Sequence, residues 1–424
     1  MRKKILFVIN TFSRAGAETA LLDLLRKMDE RNRESGKIQY DLSLFVLMGQ
    51  GELAGKLPES VHLLNKNYCM ESVLEPRGKR HMVCTVLKAL LCRGTGIKLA
   101  PYMLRAYRQM RRSGQVVRMD KILWRALSDG EVRLDETYDL AIAFLEGGSA
   151  YYVADHVKAK KKAAFIHIDY ERAGYSRELD QNCYRKYDAL FPIGEQVRRQ
   201  FVKVYPECAD RTKIFHNILD VDKIRARAQE PGGFMDSYDG IRILTVGRLT
   251  EQKAYPVAIE AMRLLKQQGV KARWYVLGEG PEREMLEQQI AKAGLQEDFL
   301  LLGVTDNPYP YFAQTDIYVH ATRYEGKSIA IQEAQILGCP IVASDINWEQ
   351  IEQGKDGLLC SLDAKAVMEA ILTLIEDPDM RKRFGQAALQ KTASFTEDIR
   401  LFDRLLEDES EMYGKRRLDE QKNV

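Results

Sequence analysis

Short apolar runs alternate along the chain with stretches whose leucines and isoleucines recur every three or four residues. "KKILFVIN" is a β-rich run, the polar loop "TFSRAGAE" follows, and "TALLDLLRKM" carries its leucines at helical spacing, so the chain opens as strand, loop and helix. "YDLSLFVLM", "YDLAIAFLEGG", "KKAAFIHIDY" and "DALFPIGE" are further apolar runs between helical or polar segments. Alternation of this kind predicts a parallel sheet with helices on both faces.

Near Ile214 the pattern changes: "IFHNILD" is followed by the polar, glycine-containing stretch "RARAQEPGGFMDSYDG". After it the same logic repeats. "IRILTVGRLTEQKA" and "ARWYVLGEGPE" are strands running into loops, "YPVAIEAMRLLKQQG" and "REMLEQQIAKAG" are helices ending at glycine, and "FLLLGV", "DIYVHAT" and "PIVASD" supply three more strands. The expected organisation is a first domain over 1–215, a linker over 216–240, a second domain over 241–394, and a C-terminal helix over 395–424 that crosses back to the first. In that helix Thr396 is the expected N-cap, and Ile399, Phe402, Leu405 and Leu406 share one stripe. The fold class is α/β: two Rossmann-like, doubly wound domains facing a cleft.

A length of 424 residues agrees with two domains, and a content of 45% hydrophobic and 29% charged residues is that of a globular chain, so disorder is not the default expectation. Charges or glycines break every apolar stretch before the ~18–20 residues a spanning helix needs. "MRKKILFVINTF" reads directly into a strand without a small-residue cleavage site, so the expectation is a chain that begins at Met1 and stays in the cytoplasm. The seven cysteines are scattered and form no C-x-x-C pair, which suggests neither a zinc site nor a disulfide framework; no metal is expected. The net charge is only +3, yet 66–134 carries 15 Lys and Arg against 5 Asp and Glu, a local +10 that asks for a partner.

Ligands of doubly wound sheets bind at the carboxyl ends of strands, which singles out four junctions. In "EGKSIAIQE", Glu325 lies in the loop leaving a strand, and Glu333 lies five residues beyond Ser328, where a helix should begin. Five helical residues rise roughly 7.5 Å, about the reach from a sugar to the ribose of a nucleotide. The N–H groups of Gly326, Lys327, Ser328 and Ile329 would point between the two carboxylates and favour a phosphate there. Solvated, helix-capping glutamates are the bland alternative. In "VGRLTEQK", Arg248 and Lys253 can converge on a leaving diphosphate and neutralise its growing charge, or be ordinary loop cations. In "SRAGAE", Gly16 is free to take unusual dihedrals and bring backbone to a ligand, or it marks a plain turn. In "FIHIDY", His167 closes a strand as base, sugar ligand or bystander, with Asp169 beside it; spacing does not choose among these.

Taken in order and spacing, "VGRLTEQK", "VLGEGPERE", "LLGVTDNPYPYFAQTDIYVHATRYEG" and "EGKSIAIQEAQILGCPIVASD" resemble the nucleotide-sugar domain of GT-B glycosyltransferases of family 4. By that resemblance Glu325 and Glu333 are an E-x7-E pair, Glu325 on the donor sugar and Glu333 on the ribose. Arg248 and Lys253 hold the diphosphate, Gly303 and Val304 meet the base, and Gly16 joins the donor-binding set. The resemblance implies a retaining, metal-independent transfer of a hexosyl unit from a nucleotide-sugar, taken as a UDP-sugar, with no cofactor. A phosphate oxygen takes the proton of the acceptor hydroxyl. Three positions depart from the family: Ala15-Gly16 where Gly-Gly is common, Lys327 where an aromatic is frequent, and Lys253-Ala254 where Lys-Gly is common.

Between 66 and 134, "VCTVLKALLCR" and "IKLAPYMLRAYRQMRR" mix Leu, Met and Tyr with Lys and Arg, as a helix lying on anionic lipid does. The expectation is peripheral docking to the inner face of the cell membrane, suiting a glycan or lipid-linked acceptor in polysaccharide or glycolipid synthesis. A solvated helical insertion is the alternative, and no nucleic-acid-binding module accompanies the charge. Two other functions stand beside the transferase: another GT-B enzyme, such as a nucleotide-sugar epimerase or a phosphorylase, and a catalytically silent GT-B partner protein.

Overall fold

The computed structural model describes residues 2–33, 39–73, 75–92, 101, 104, 107–108, 119–170, 173–391 and 398–407. Most of 93–118, the middle of the basic segment, lies outside the described residues, as does Thr396. Contacts divide the chain into two units, Met1–Leu219 with Phe395–Val424, and Asp220–Ser394.

Each unit is built on one six-stranded sheet whose pairings are all parallel. Unit 1 holds β1 (Arg2–Ile9), β2 (Gln39–Val46), β3 (Val61–Leu63), β4 (Thr137–Ala143), β5 (Lys158–Ile166) and β6 (Ala189–Pro192), in the order β3-β2-β1-β4-β5-β6. Unit 2 holds β7 (Ile241–Val246), β8 (Ala272–Leu277), β9 (Phe299–Gly303), β10 (Ile317–His320), β11 (Ile341–Ser344) and β12 (Gly357–Cys360), in the order β12-β11-β10-β7-β8-β9. Counted within each unit, both sheets follow the doubly wound order 3-2-1-4-5-6, whose direction of winding reverses between the first and fourth strands. Those reversals fall between β1 and β4 and between β7 and β10.

The apolar runs are continuous because helices cover both faces of each sheet. Ile5 to Ile9 and Leu140 to Ala143 are fully buried. In unit 2, Ile243, Trp274, Val276, Ile317, Val319 and Val342 pack against Ala258, Met262, Leu265, Ile371 and Leu374 from helices. Trp274 donates its indole N–H to Thr245 Oγ1 at 3.0 Å, and Thr245 donates in turn to the Val319 carbonyl at 2.8 Å, so no polar atom of this pair is left unmatched in the core.

The structure differs from the expected elements in two places. Two short edge strands, β3 and β12, lie outside the expected set; each adds only three or four residues to a sheet already specified by longer runs. The stretch 216–240 is not all linker, since a helix spans Val221–Ala228, begun by Asp220, whose carboxylate accepts the Lys223 N–H at 2.9 Å. The C-terminal helix is described over Arg400–Leu406, and it packs in unit 1. There Phe402 is fully buried against Phe7, Phe165, Phe191 and Phe215, stacking on the last at 5.0 Å. Asp403 accepts from Arg31 and Tyr40, and Asp398 from the backbone and ring of His216.

Unit 1 also buries a carboxyl. Asp180 has no exposed surface and accepts from the hydroxyls of Tyr151 at 2.6 Å and Tyr205 at 3.2 Å, and the Tyr205 ring packs in turn against Tyr170, Tyr184 and Phe201. Burial pushes its carboxyl up from 3.8 to about 7, against the lowering effect of the two tyrosine hydrogen bonds. The folded chain therefore keeps a proton that the unfolded chain loses near pH 4, and this contribution to stability falls as pH rises toward 7. Asp180→Asn mimics the protonated acid. Its stability relative to the unsubstituted chain is expected to improve by about 3 kcal/mol between about pH 5 and pH 8, measured by urea unfolding at both values.

Candidate functional site

Topology directs attention to the loops that leave β7 and β10, the strands flanking the reversal in unit 2. The first loop runs from Gly247 through a 3-10 turn, Glu251–Lys253, and the second from Ala321 to Ser328. They are stitched together. Arg323 N–H donates to Gln252 O at 2.8 Å, Gln252 Nε2 to Tyr324 O at 2.8 Å, Thr322 Oγ1 to Gln252 O at 3.0 Å, and Arg323 Nε to Glu251 O at 3.2 Å.

The "GEG" turn after β8 lies under the first loop, and only glycine fits there. A Cβ on Gly278 would stand 1.9 Å from Gly247 O, and one on Gly280 would stand 2.3 Å from Leu249 O. The far end of the loop is held by Tyr255, whose hydroxyl donates to Gly247 O at 2.8 Å. Between them Ala254 takes a left-handed φ of 46° and is fully buried. This conformation explains why the family commonly has glycine here. Relief of the left-handed cost by Ala254→Gly is offset by the lost methyl and a freer unfolded chain, so stability should change by less than about 1 kcal/mol. Ala254→Val, β-branched at positive φ, is expected to cost more than about 2 kcal/mol in thermal unfolding.

This stitching brings Lys253 and Glu325 into direct contact, Nζ to Oε2, with both side chains largely buried. His320, the last residue of β10 and 1% exposed, completes a cluster: its Nε2 lies 3.4 Å from Glu325 Oε2 and 3.4 Å from Lys253 Nζ, and its Nδ1 lies 3.0 Å from the Tyr318 hydroxyl. Burial alone would raise the Glu325 carboxyl, but Lys253 and His320 more than offset it and hold the group well below the usual carboxylate range. Burial, reinforced by Lys253 and opposed by Glu325, pushes His320 down to about 4. At neutral pH the cluster therefore holds a carboxylate and a neutral imidazole beside Lys253. Arg248 stands exposed in the same loop as Lys253.

Gly326 and Lys327 follow Glu325 in the second loop, Ser328 stands at the N-cap position of the helix Ile329–Ile336 without a side-chain capping bond, and Glu333 lies within that helix, buried, accepting from the Tyr309 hydroxyl at 3.2 Å. The expectation of a free N–H at Ser328 does not hold. It donates to Gln350 Oε1 at 2.6 Å, while Gln350 Nε2 donates back to Ser328 O at 2.8 Å, so a side-chain amide 22 residues away fixes the helix start. Gly303 ends β9 at φ 79°, its carbonyl accepting from Gly278 N–H at 2.8 Å, and the next residue, Val304, is 63% exposed. Among the described residues no group of three His, Cys, Asp or Glu side chains is placed to hold a metal ion.

The reversal in unit 1 lies between the loops leaving β1 and β4, and Asn10 ties them together. Its Nδ2 donates to Glu146 O at 3.1 Å, and its Oδ1 accepts the Ser149 N–H at 2.7 Å. The buried Glu146 carboxylate accepts the backbone N–H groups of His167 and Ile168 and so fixes the loop leaving β5. Burial pushes His167 down to about 4, opposed by a hydrogen bond to the Phe144 backbone, and its Nε2 has no hydrogen-bond partner among the described residues. Asp169 is buried beside it. Gly16 departs from expectation: it is the first residue of the helix Gly16–Arg33 and does not have a left-handed φ. Of the polar residues at these junctions, His320, Gln350, Asn10 and Glu146 escaped the sequence reading. For His320, Asn10 and Glu146 the available signal was a polar residue at or just beyond the end of an apolar run, in "DIYVHAT", "LFVIN" and "AIAFLEGG".

A profile of the family described as glycosyl transferases group 1 matches residues 237–391. The matched stretch is most of unit 2 and contains Arg248, Lys253, His320, Glu325 and Glu333. Over 216 residues the chain is 28% identical to the N-acetylgalactosamine-N,N'-diacetylbacillosaminyl-diphospho-undecaprenol 4-alpha-N-acetylgalactosaminyltransferase of Campylobacter jejuni, covering 50% of this chain and 57% of the relative. It is 22% identical over 308 residues to the poly(glycerol-phosphate) alpha-glucosyltransferase of Bacillus subtilis, covering 66% of this chain and 44% of the relative. The chain thus spans about half the length of these curated relatives. Among solved structures, HepE of Anabaena in complex with UDP and glucose matches with a TM-score of 0.65 at 16% identity, covering 95% of this chain and 98% of that one. A substituted form of S. aureus TarM matches with a TM-score of 0.63 at 12% identity, covering 96% and 100%. Such identities speak to the fold alone, and the fold is GT-B. No described helix is long and apolar enough to cross a membrane.

Proposed function

We propose that the chain is a retaining, metal-independent glycosyltransferase that moves a hexosyl unit from a UDP-sugar to a glycan or lipid-linked acceptor in cell-surface polysaccharide or glycolipid synthesis. The observation that carries this reading is the stitched pair of loops at the reversal of unit 2, which joins Lys253 to Glu325, with an exposed Arg248 in the same loop as Lys253. Relatives named as an N-acetylgalactosaminyltransferase and an alpha-glucosyltransferase, and a neighbour solved with UDP and glucose, support it.

In this reading Arg248 and Lys253 face the diphosphate and neutralise the charge that grows on it, Glu325 accepts from the sugar hydroxyls, and Glu333 accepts from the ribose. The bond from the anomeric carbon to the diphosphate oxygen breaks, and its electron pair stays on the diphosphate. The acceptor hydroxyl oxygen bonds to that carbon on the same face, and its proton passes to a diphosphate oxygen. In this reading His167, neutral and with a buried Nε2 that has no hydrogen-bond partner among the described residues, is the unit 1 candidate to contact a sugar or hydroxyl.

A screen of nucleotide-sugars for thermal stabilisation and hydrolysis tests the reading. A UDP-sugar at 100 times its Kd should stabilise the chain by about 2.7 kcal/mol, and nucleotide should be released faster when an acceptor is added. If no nucleotide-sugar binds, the silent-partner alternative takes the lead. Release that no acceptor accelerates favours another GT-B activity.

The acceptor side carries a membrane proposal. On the helix Pro76–Cys92, Val83, Leu87 and Leu91 are 49%, 48% and 77% exposed and recur every four residues among Arg77, Lys79, Arg80 and Lys88. An apolar stripe set among cations fits the surface of an anionic bilayer. Flotation with phosphatidylglycerol-containing vesicles should recover the chain, and Leu87→Glu with Leu91→Glu should lower recovery about tenfold. Equal recovery on purely zwitterionic vesicles would contradict the electrostatic part.

A further inference from the structure

Lys253 is drawn two ways. In the structure its ammonium pairs with Glu325, whereas in the function proposed above, on which this inference rests, it faces the donor diphosphate. A largely buried carboxylate that loses its ammonium becomes an uncompensated charge, free to turn or to take up a proton. Either outcome would disable Glu325 as an acceptor for sugar hydroxyls.

We propose that Tyr318 and His320 form a buried relay that holds Glu325 in place while Lys253 turns to the diphosphate. The strand alternation of β10 places both side chains on one face, fully enclosed, so neither ring has freedom to rotate toward solvent. Tyr318 has a single hydroxyl proton, and its oxygen lies 3.0 Å from His320 Nδ1. Donation to Nδ1 leaves the proton of the neutral imidazole on Nε2, the nitrogen that faces Glu325 Oε2 at 3.4 Å. Once the ammonium that shares this position moves away, the Nε2–H to Oε2 contact can shorten into a full hydrogen bond. His320 and Tyr318 are thus positioning residues that act through Glu325. A fully buried His and Tyr in an otherwise apolar strand, Ile317 and Val319 being their neighbours, would be costly without such partners.

The test compares His320→Leu, His320→Gln and Tyr318→Phe, using UDP for binding and UDP-glucose or UDP-N-acetylgalactosamine, whichever is hydrolysed, for turnover. His320→Leu should lower kcat about 30–100-fold with the Kd for UDP changed less than about 2-fold, because the diphosphate contacts remain. His320→Gln, whose amide can still donate to Glu325, should recover to within about 5-fold of the unsubstituted chain. Tyr318→Phe should lower kcat about 5–10-fold, and nitrogen NMR of the labelled imidazole should show the Nε2–H form give way to a mixture of tautomers. Leu and Gln variants impaired alike, kcat losses that follow melting temperature, or a tautomer untouched by Tyr318→Phe would each overturn the relay. Absence of UDP binding and turnover in the unsubstituted chain would overturn the proposed function and the relay with it.

Discussion

Glu325→Gln is expected to lower kcat about 10²–10³-fold, the size of loss that follows removal of one preorganised electrostatic contact at a reacting centre. The carboxylate is charged throughout the neutral range, because Lys253 and His320 outweigh the effect of its burial. The amide keeps the shape and still accepts from Lys253, yet it removes the charge. It also presents one donor where a pair of sugar hydroxyls needs acceptors. Stability should fall by less than about 2 kcal/mol, since one hydrogen bond to Lys253 survives. Steady-state kinetics and thermal unfolding of the same preparation separate the two effects. Turnover within about 3-fold of the unsubstituted chain would strip Glu325 of its role, because a charge facing the reacting sugar cannot be removed at so small a loss.

Phe402→Ala should cost about 4 kcal/mol, near the upper end of core truncations. The ring touches four other phenylalanines and has no exposed surface, so its removal leaves a cavity with little freedom to collapse. The helix that carries it is only seven residues long, Arg400–Leu406, and isolated helices of that length do not persist in water. It is held by Phe402 together with the contacts of Asp403 to Arg31 and Tyr40. A urea midpoint for unit 1 that shifts by the equivalent of less than about 1 kcal/mol would show that this helix is not part of the core.

The strands were readable because each long one is a continuous apolar run covered on both faces, as in "KKILFVIN" and "IRILTVG". The strands β3 and β12 were not, since three or four residues at a sheet edge leave no periodicity to detect. Arg248, Lys253 and Glu325 could be singled out from their positions after strands. Their pairing could not, because it depends on β7 and β10 being neighbours, a fact of sheet order rather than of local sequence. Ser328 shows the same limit: its N–H is taken by Gln350, and nothing near residue 328 reveals an amide that arrives from 22 residues further on. Gly16 was assigned conformational freedom for being glycine, whereas its backbone is that of a helix start. His320 passed as a strand residue because a single polar side chain in "DIYVHAT" does not disturb an apolar pattern.

The closing of unit 1 by Phe402 has a consequence for the newly made chain. A ribosome delivers every residue of unit 2, Asp220–Ser394, before it delivers the helix that fills the aromatic centre of unit 1. The unit whose synthesis begins first is therefore the last whose interior can be completed. Until residue 406 has left the exit tunnel, Phe165, Phe191 and Phe215 lack their final neighbour. That interval is when a nascent chain of this design would depend most on chaperones.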